Sequence, residues 1–203
     1  MKELLQTLKV QRWDDHRYYH HSRINQSLHF VSATSFLVSY VLLFINPVAA
    51  SFVAWLVAMT TRQSGHFFFE PKGYDHVNQA THEYKEEIKV GYNLNRKIAL
   101  LSIWAAIPVI AYFFPEYITW MVPQAYEDTF SRLVGMAWLM LGVAGLVFRV
   151  GQLCFIDSAQ AAFAWAIKII TDPFHDIKLY YRSPLYLLRG ELIDPMPHIP
   201  NTK

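Results

Sequence analysis

The chain has 203 residues, 53% of them hydrophobic and 17% charged, with a formal net charge of +2. The length is that of one ordinary domain, and the charge content falls below the roughly 25% of soluble domains. No basic block or stripe marks a nucleic-acid footprint, and a single cysteine, Cys154, excludes an intramolecular disulfide.

The N-terminal stretch MKELLQTLKVQRWDDHRYYHH lacks a signal-peptide apolar region and reads as an amphipathic or interfacial helix, with Leu4, Leu5, Leu8 and Val10 on one side. Four apolar windows follow, at 28–46, 48–63, 98–114 and 133–148, each near the roughly 20 residues needed to span a bilayer core. Asn46-Pro47 is a turn signal that folds the first two into a tight hairpin, and Pro115 ends the third. A fifth stretch, 153–170, holds Asp157, Gln160 and Lys168 and reads as an amphipathic helix on or against the bundle. Cys154 is expected to be a small buried residue. The ending DPMPHIPNTK reads as an extended tail. The expected fold is an all-α integral membrane bundle: four transmembrane helices plus amphipathic interfacial helices, forming a single membrane domain over 1–203.

Basic residues set the orientation. Lys2, Lys9, Arg12, Arg17 and Arg23 precede the first span, and Arg62, Lys72, Lys85, Lys89, Arg96 and Lys97 lie between the second and third. The hairpin turn has none, and 115–131 carries Glu116, Glu127 and Asp128 instead. Both termini are therefore expected in the cytoplasm, at a bacterial inner membrane or the endoplasmic reticulum.

None of the nine histidines lies in the third or fourth window or in the loop joining them. His29 precedes Pro47 by 18 residues and His66 follows it by 19, so at about 1.5 Å per residue both reach the same depth, roughly 27–29 Å from the turn. His21, Asn25 and His29 are spaced i, i+4, i+8 on one helix face, and His66 and Glu70 are spaced i, i+4, although Pro71 disfavours helical geometry at Glu70. Gly65 leaves room for close approach of a helix or ligand. Imidazoles and a carboxylate converging at one point suit Fe, Zn or Cu, and open positions suit oxygen chemistry on Fe(II). Asn25 is expected to orient an imidazole or a bound ligand. Arg23, Arg62 and Lys72 are candidates for a substrate carboxylate. His82 and His76, in the polar loop after Glu70, are further candidate ligands. His175, after the proline turn of TDPFHD, is a candidate ligand or substrate contact. His16 and His198 are read as structural or surface residues.

YYHH-x3-N-x3-H at 18–29, an apolar hairpin, and GH-x3-E at 65–70 resemble the 2-hydroxy fatty acid dioxygenases, small membrane proteins of fatty acid α-oxidation. The resemblance covers 18–70; after Glu70 this chain reads PKGYDHVN, where that family usually has basic residues and a Pro-Ala pair. It implies an Fe(II) enzyme that uses O2 to shorten a 2-hydroxy fatty acid by one carbon, with His20 or His21, His29 and His66 as the iron-binding set. Two other readings stand beside it. His16, His20 and His21 form one H-x3-H-H box of the kind used by membrane di-iron hydroxylases and desaturases. A non-enzymatic metal- or haem-binding membrane protein is the third.

Overall fold

The computed structural model describes residues 2–89 and 93–195, and it is all-helical, with 78% helix and no strands among the described residues. Helix α1 (Lys2–Tyr19) is linked by residues 20–22 to α2 (Arg23–Leu42), which Ser22 caps by accepting from Asn25 N. After the turn, Asn46 accepts from Ala49 N, and Pro47 takes the first helical position, where its missing N–H costs nothing. One helical run follows: α3 (Pro47–Phe52), a π-helical segment (Val53–Met59) and α4 (Thr60–Phe68). The run packs back along α2, which is the expected hairpin. Then come α5 (His82–Ile88), α6 (Leu94–Phe113), α7 (Glu116–Thr119), a 3-10 turn (Gln124–Tyr126), α8 (Phe130–Ile156), α9 (Ala159–Tyr180) and α10 (Ser183–Leu188).

Two of these helices, α6 and α8, are long and apolar enough to cross a membrane. α2 opens on Arg23, Asn25, Gln26 and His29, and the run 47–68 closes on Thr60, Thr61, Arg62, Gln63 and His66, so their apolar parts are shorter. The apolar core lies among the π segment, α6 and α8, where Trp55, Ile107, Ala111, Leu133, Ala137 and Trp138 are buried. Trp55 Nε1 donates to the Trp138 carbonyl and Trp138 Nε1 to the Trp104 carbonyl, both at 2.9 Å. Those two indoles are thus buried without losing their hydrogen bonds.

Several expectations are revised. α8 continues to Ile156, and Ser158 caps a new helix, α9, which packs against α1, α2 and α8 with Lys168, Asp172 and Asp176 buried. Pro173 lies inside α9 and makes no turn. The Tyr40 hydroxyl donates to the Ile170 carbonyl at 2.9 Å, beside the Ile169 carbonyl that the proline deprives of its donor. Cys154 is exposed, because Leu153 takes the buried position and the next helical residue points about 100° away. On α1, Leu8 and Gln11 are buried while Leu5 and Val10 are exposed. α1 docks by polar contacts, Gln11 Nε2 donating to the Ala161 carbonyl and Asp15 pairing with Lys168 at 3.0 Å. The chain beyond α10 folds back: Arg23 N donates to the Leu192 carbonyl at 2.9 Å and Asp194 N to that of His21 at 2.8 Å. His198 and the rest of the tail from 196 lie outside the described residues.

The hairpin is tightest at Gly65. A Cβ there would lie 2.1 Å from Asn25 Oδ1 and 3.1 Å from its Cγ, whereas a Cβ on Gly73 would meet nothing within 4 Å. Gly65→Ala is therefore expected to destabilise the fold by about 1–3 kcal/mol, and Gly73→Ala to leave it unchanged. Thermal unfolding of both variants in detergent checks this.

Candidate metal centre

His20, His29 and His66 converge where α1, α2 and α4 meet, with their donor atoms all within 4.8 Å of one another. His29 lies two turns into α2 and His66 near the end of α4, so the hairpin brings them to one level, with ring centroids 4.8 Å apart. His20 arrives from the link before α2, its ring centroid 4.2 Å from His29 and 5.3 Å from His66. His20 Nε2 and His29 Nε2 are 3.2 Å apart. Two nitrogens each about 2.0–2.1 Å from one ion would stand roughly 2.9–3.4 Å apart at octahedral to tetrahedral angles, so the spacing suits a shared metal. His20 and His29 are fully buried. Burial, followed by the proximity of His29, holds His20 well below its ordinary pKa, leaving the neutral ring a ligand needs to be.

The outer nitrogens face carboxylates. His66 Nδ1 is 2.8 Å from Glu70 Oε2, which leaves Nε2 for the group. His29 Nδ1 is 3.6 Å from Asp176 Oδ2, and Arg62 Nη1 donates to the same oxygen at 2.8 Å. A carboxylate behind a ligating imidazole fixes its tautomer and strengthens its basicity. Burial pushes the Glu70 carboxyl up to about 7, against the pull of Lys89 and Lys97. Burial acts on Asp176 in the same direction, but Arg62 and His29 outweigh it and hold that carboxyl well below the usual range. Tyr180, also buried, packs on His20 and His29 at 5.5 and 6.1 Å between centroids and bonds His16 Nδ1 at 2.9 Å.

The first turn of α2 fixes the backbone that presents His20. Asn25 Nδ2 donates to the Tyr19 carbonyl at 2.8 Å, and Gln26 Nε2 to the His20 carbonyl at 2.7 Å. Gln26 also bonds Asp194 at 2.8 Å and accepts from Ser183 Oγ at 2.6 Å. These contacts tie the site to α10 and the returning chain.

The structure brings together His20, His29, His66 and Glu70 and leaves other candidates outside. His21 shares a face with Asn25 only if the helix starts before it, but α2 starts at Arg23, and His21 turns instead to the Arg17 carbonyl and to Asp75 at 3.6 Å. His82 opens α5, on the far side of the polar loop, and is not in the group. His16 is held by Tyr180, so the H-x3-H-H box is split. His175 lines a small cleft with Arg12 and Asp172. Arg23 pairs with Asp194 at 2.9 Å and lies over the Tyr186 ring at 4.4 Å. Lys72 is exposed. Sequence reasoning missed Asp176, Gln26, Tyr180 and Asp194. A signal for Asp176 was present: Lys168, Asp172 and Asp176 are spaced i, i+4, i+8 along one face of a mostly apolar helix.

A cavity of about 550 Å³ opens beside His66 and runs between apolar helices, past Phe36, Trp55, Leu100, Trp138, Leu146 and Trp165. Its volume lies within the roughly 300–1,000 Å³ of small-ligand sites. Comparison with family models, curated proteins and solved structures returns no match, so the dioxygenase resemblance rests on the motif residues alone.

Metal content after loading with Fe(II) or Zn(II) tests the assignment. His20→Ala, His29→Ala and His66→Ala are each expected to abolish stoichiometric binding, and His21→Ala to preserve it. Asp176→Asn is expected to weaken affinity about 10- to 100-fold, the usual effect of losing an outer partner.

Proposed function

We propose that this protein is a membrane-embedded Fe(II) oxygenase that acts on an acyl lipid, with a long-chain 2-hydroxy fatty acid as its substrate. One observation supports this reading above others: three imidazoles converge, two of them facing carboxylates, and one of the three, His66, lines a largely apolar cavity. Three neutral ligands leave a bound Fe(II) its positive charge and open positions, which suit an anionic chelating substrate and O2. The iron supplies O2 activation and Lewis-acid polarisation when bound.

The chain's own residues supply the rest. Glu70 holds the His66 ring in orientation, Asp176 faces His29 Nδ1 at 3.6 Å, and Asn25 and Gln26 hold the backbone at Tyr19 and His20. The apolar walls take the acyl tail and keep water from it, so the 2-hydroxyl and carboxylate are presented at the histidines. Fixing the reacting carbon there provides proximity and orientation. Conversion of a 2-hydroxy acid and O2 to the acid one carbon shorter, CO2 and water balances in atoms and electrons, with all four electrons coming from the substrate. No external donor is then required.

In this reading α2 and the run 47–68 span the membrane with α6 and α8, both termini are cytoplasmic, and the histidines sit at the cytoplasmic interface. Phe44 and Gln124 are exposed at the opposite end and Glu191 at the histidine end. With the exposed Cys154 replaced by Ser, cysteines at Phe44 and Gln124 are expected to label from outside only, and one at Glu191 from the cytoplasm only. The reaction is tested by O2 uptake and mass spectrometry of products from Fe(II)-loaded protein. A 2-hydroxy acid is expected to give O2-dependent loss of one carbon, and the unsubstituted acid little turnover. Hydroxylation or desaturation of the unsubstituted acid, dependent on an added electron donor, would place the protein with the di-iron hydroxylases instead.

A further inference from the structure

We propose that Lys97 is the anchor that selects a free carboxylate as the head of the cavity's acyl ligand; this rests on the reading of the cavity as an acyl-chain site. Among the described residues, four cationic side chains line the cavity: Arg62, Lys89, Lys97 and Lys168. Three are committed to the protein's own anions. Arg62 pairs with Asp176 at 2.8 Å, Lys89 with Glu86 at 3.0 Å, and Lys168 with Asp15 and Asp172 at 3.0 and 2.5 Å. Lys89 is further fixed over the Tyr19 ring at 3.7 Å. Among the described residues, no carboxylate lies within ion-pair distance of Lys97; Glu70 and Glu86 act on it only from farther away.

Lys97 is also in the right place. It lies in the first turn of α6, after the cap at Asn93, and its charge bears on His66. Below it α6 contributes Leu100 and Leu101 to the same cavity wall, so cation and apolar track belong to one helix face. The half-buried ammonium is partly desolvated, and an unpaired cation in that setting is stabilised by an incoming anion. A carboxylate there would leave the adjacent carbon facing His66 and the chain running down the apolar walls. The acidic side chains on the wall, Asp14, Asp15 and Asp172, are paired with Arg17, Lys168 and Arg12 and do not compete for Lys97.

The test is direct binding to the full-length protein in detergent, without added iron, using palmitic acid and methyl palmitate. The wild-type protein is expected to prefer the acid. Lys97→Gln should weaken acid binding on the order of 10- to 100-fold and leave ester binding unchanged, which also shows that the cavity is intact. Lys97→Arg should retain the preference, and Lys89→Gln should change it little. Equal wild-type affinity for acid and ester, or equal weakening of both by Lys97→Gln, overturns the anchor but not the acyl cavity. Transfer of the effect to Lys89→Gln does the same. Failure of both ligands to bind the wild-type protein removes the acyl cavity itself, and the anchor with it.

Discussion

Close approach of α2 and α4 at Gly65 is the constraint on which the site depends. Asn25 fills the space that any side chain at position 65 would need. One turn farther along α2, and one residue along α4, His29 and His66 are thereby held edge to face. A methyl group at position 65 would have to displace Asn25 or push the two helices apart. The same asparagine bonds the Tyr19 carbonyl, so helix packing and the approach of His20 are coupled through one side chain.

Polar groups concentrate at this end of the bundle, and most of the buried charges are paired. Lys168 pairs with Asp15 and Asp172, Arg12 with Asp172, and Arg62 with Asp176. Burying these ions costs several kcal/mol apiece unless partners are well placed, so the pairs leave α1 and α9 few ways to dock. α9 in this way delivers Asp176 to His29, although the two are far apart in the chain. The returning segment at 192–194 satisfies a backbone donor in the first turn of α2 that the helix itself cannot satisfy.

The middle of the bundle is apolar, and the cavity runs along it from the polar end. The π-helical segment Val53–Met59 lies between the turn and the histidine end of the hairpin, and Ala54, Trp55 and Met59 from it line the cavity. π geometry inside an α-helical run occurs frequently at functional sites. Here it presents a wide residue, Trp55, to α8. A polar head and an apolar track match an amphiphile better than a wholly polar or wholly apolar ligand.

The helical class, the hairpin at Asn46-Pro47 and the shared level of His29 and His66 were legible in sequence, because they follow from local chemistry: apolar period, turn residues and a fixed rise per residue. The roles of neighbours were not. His20 and His21 are adjacent and chemically identical, and only the start of α2 at Arg23, with the Asn25 and Gln26 contacts to the link before it, turns one ring into the site and the other toward Asp75. Pro173 looked like a turn, but packing of α9 against three helices outweighs one lost hydrogen bond. Asp176, Gln26 and Asp194 gain their partners through contacts more than a hundred residues apart, and no local pattern encodes such a distance. Sequence alone determined which residues could reach the polar end of the bundle; tertiary packing decided which of them meet, because burial favours the polar groups that find partners among those the docked helices leave within reach.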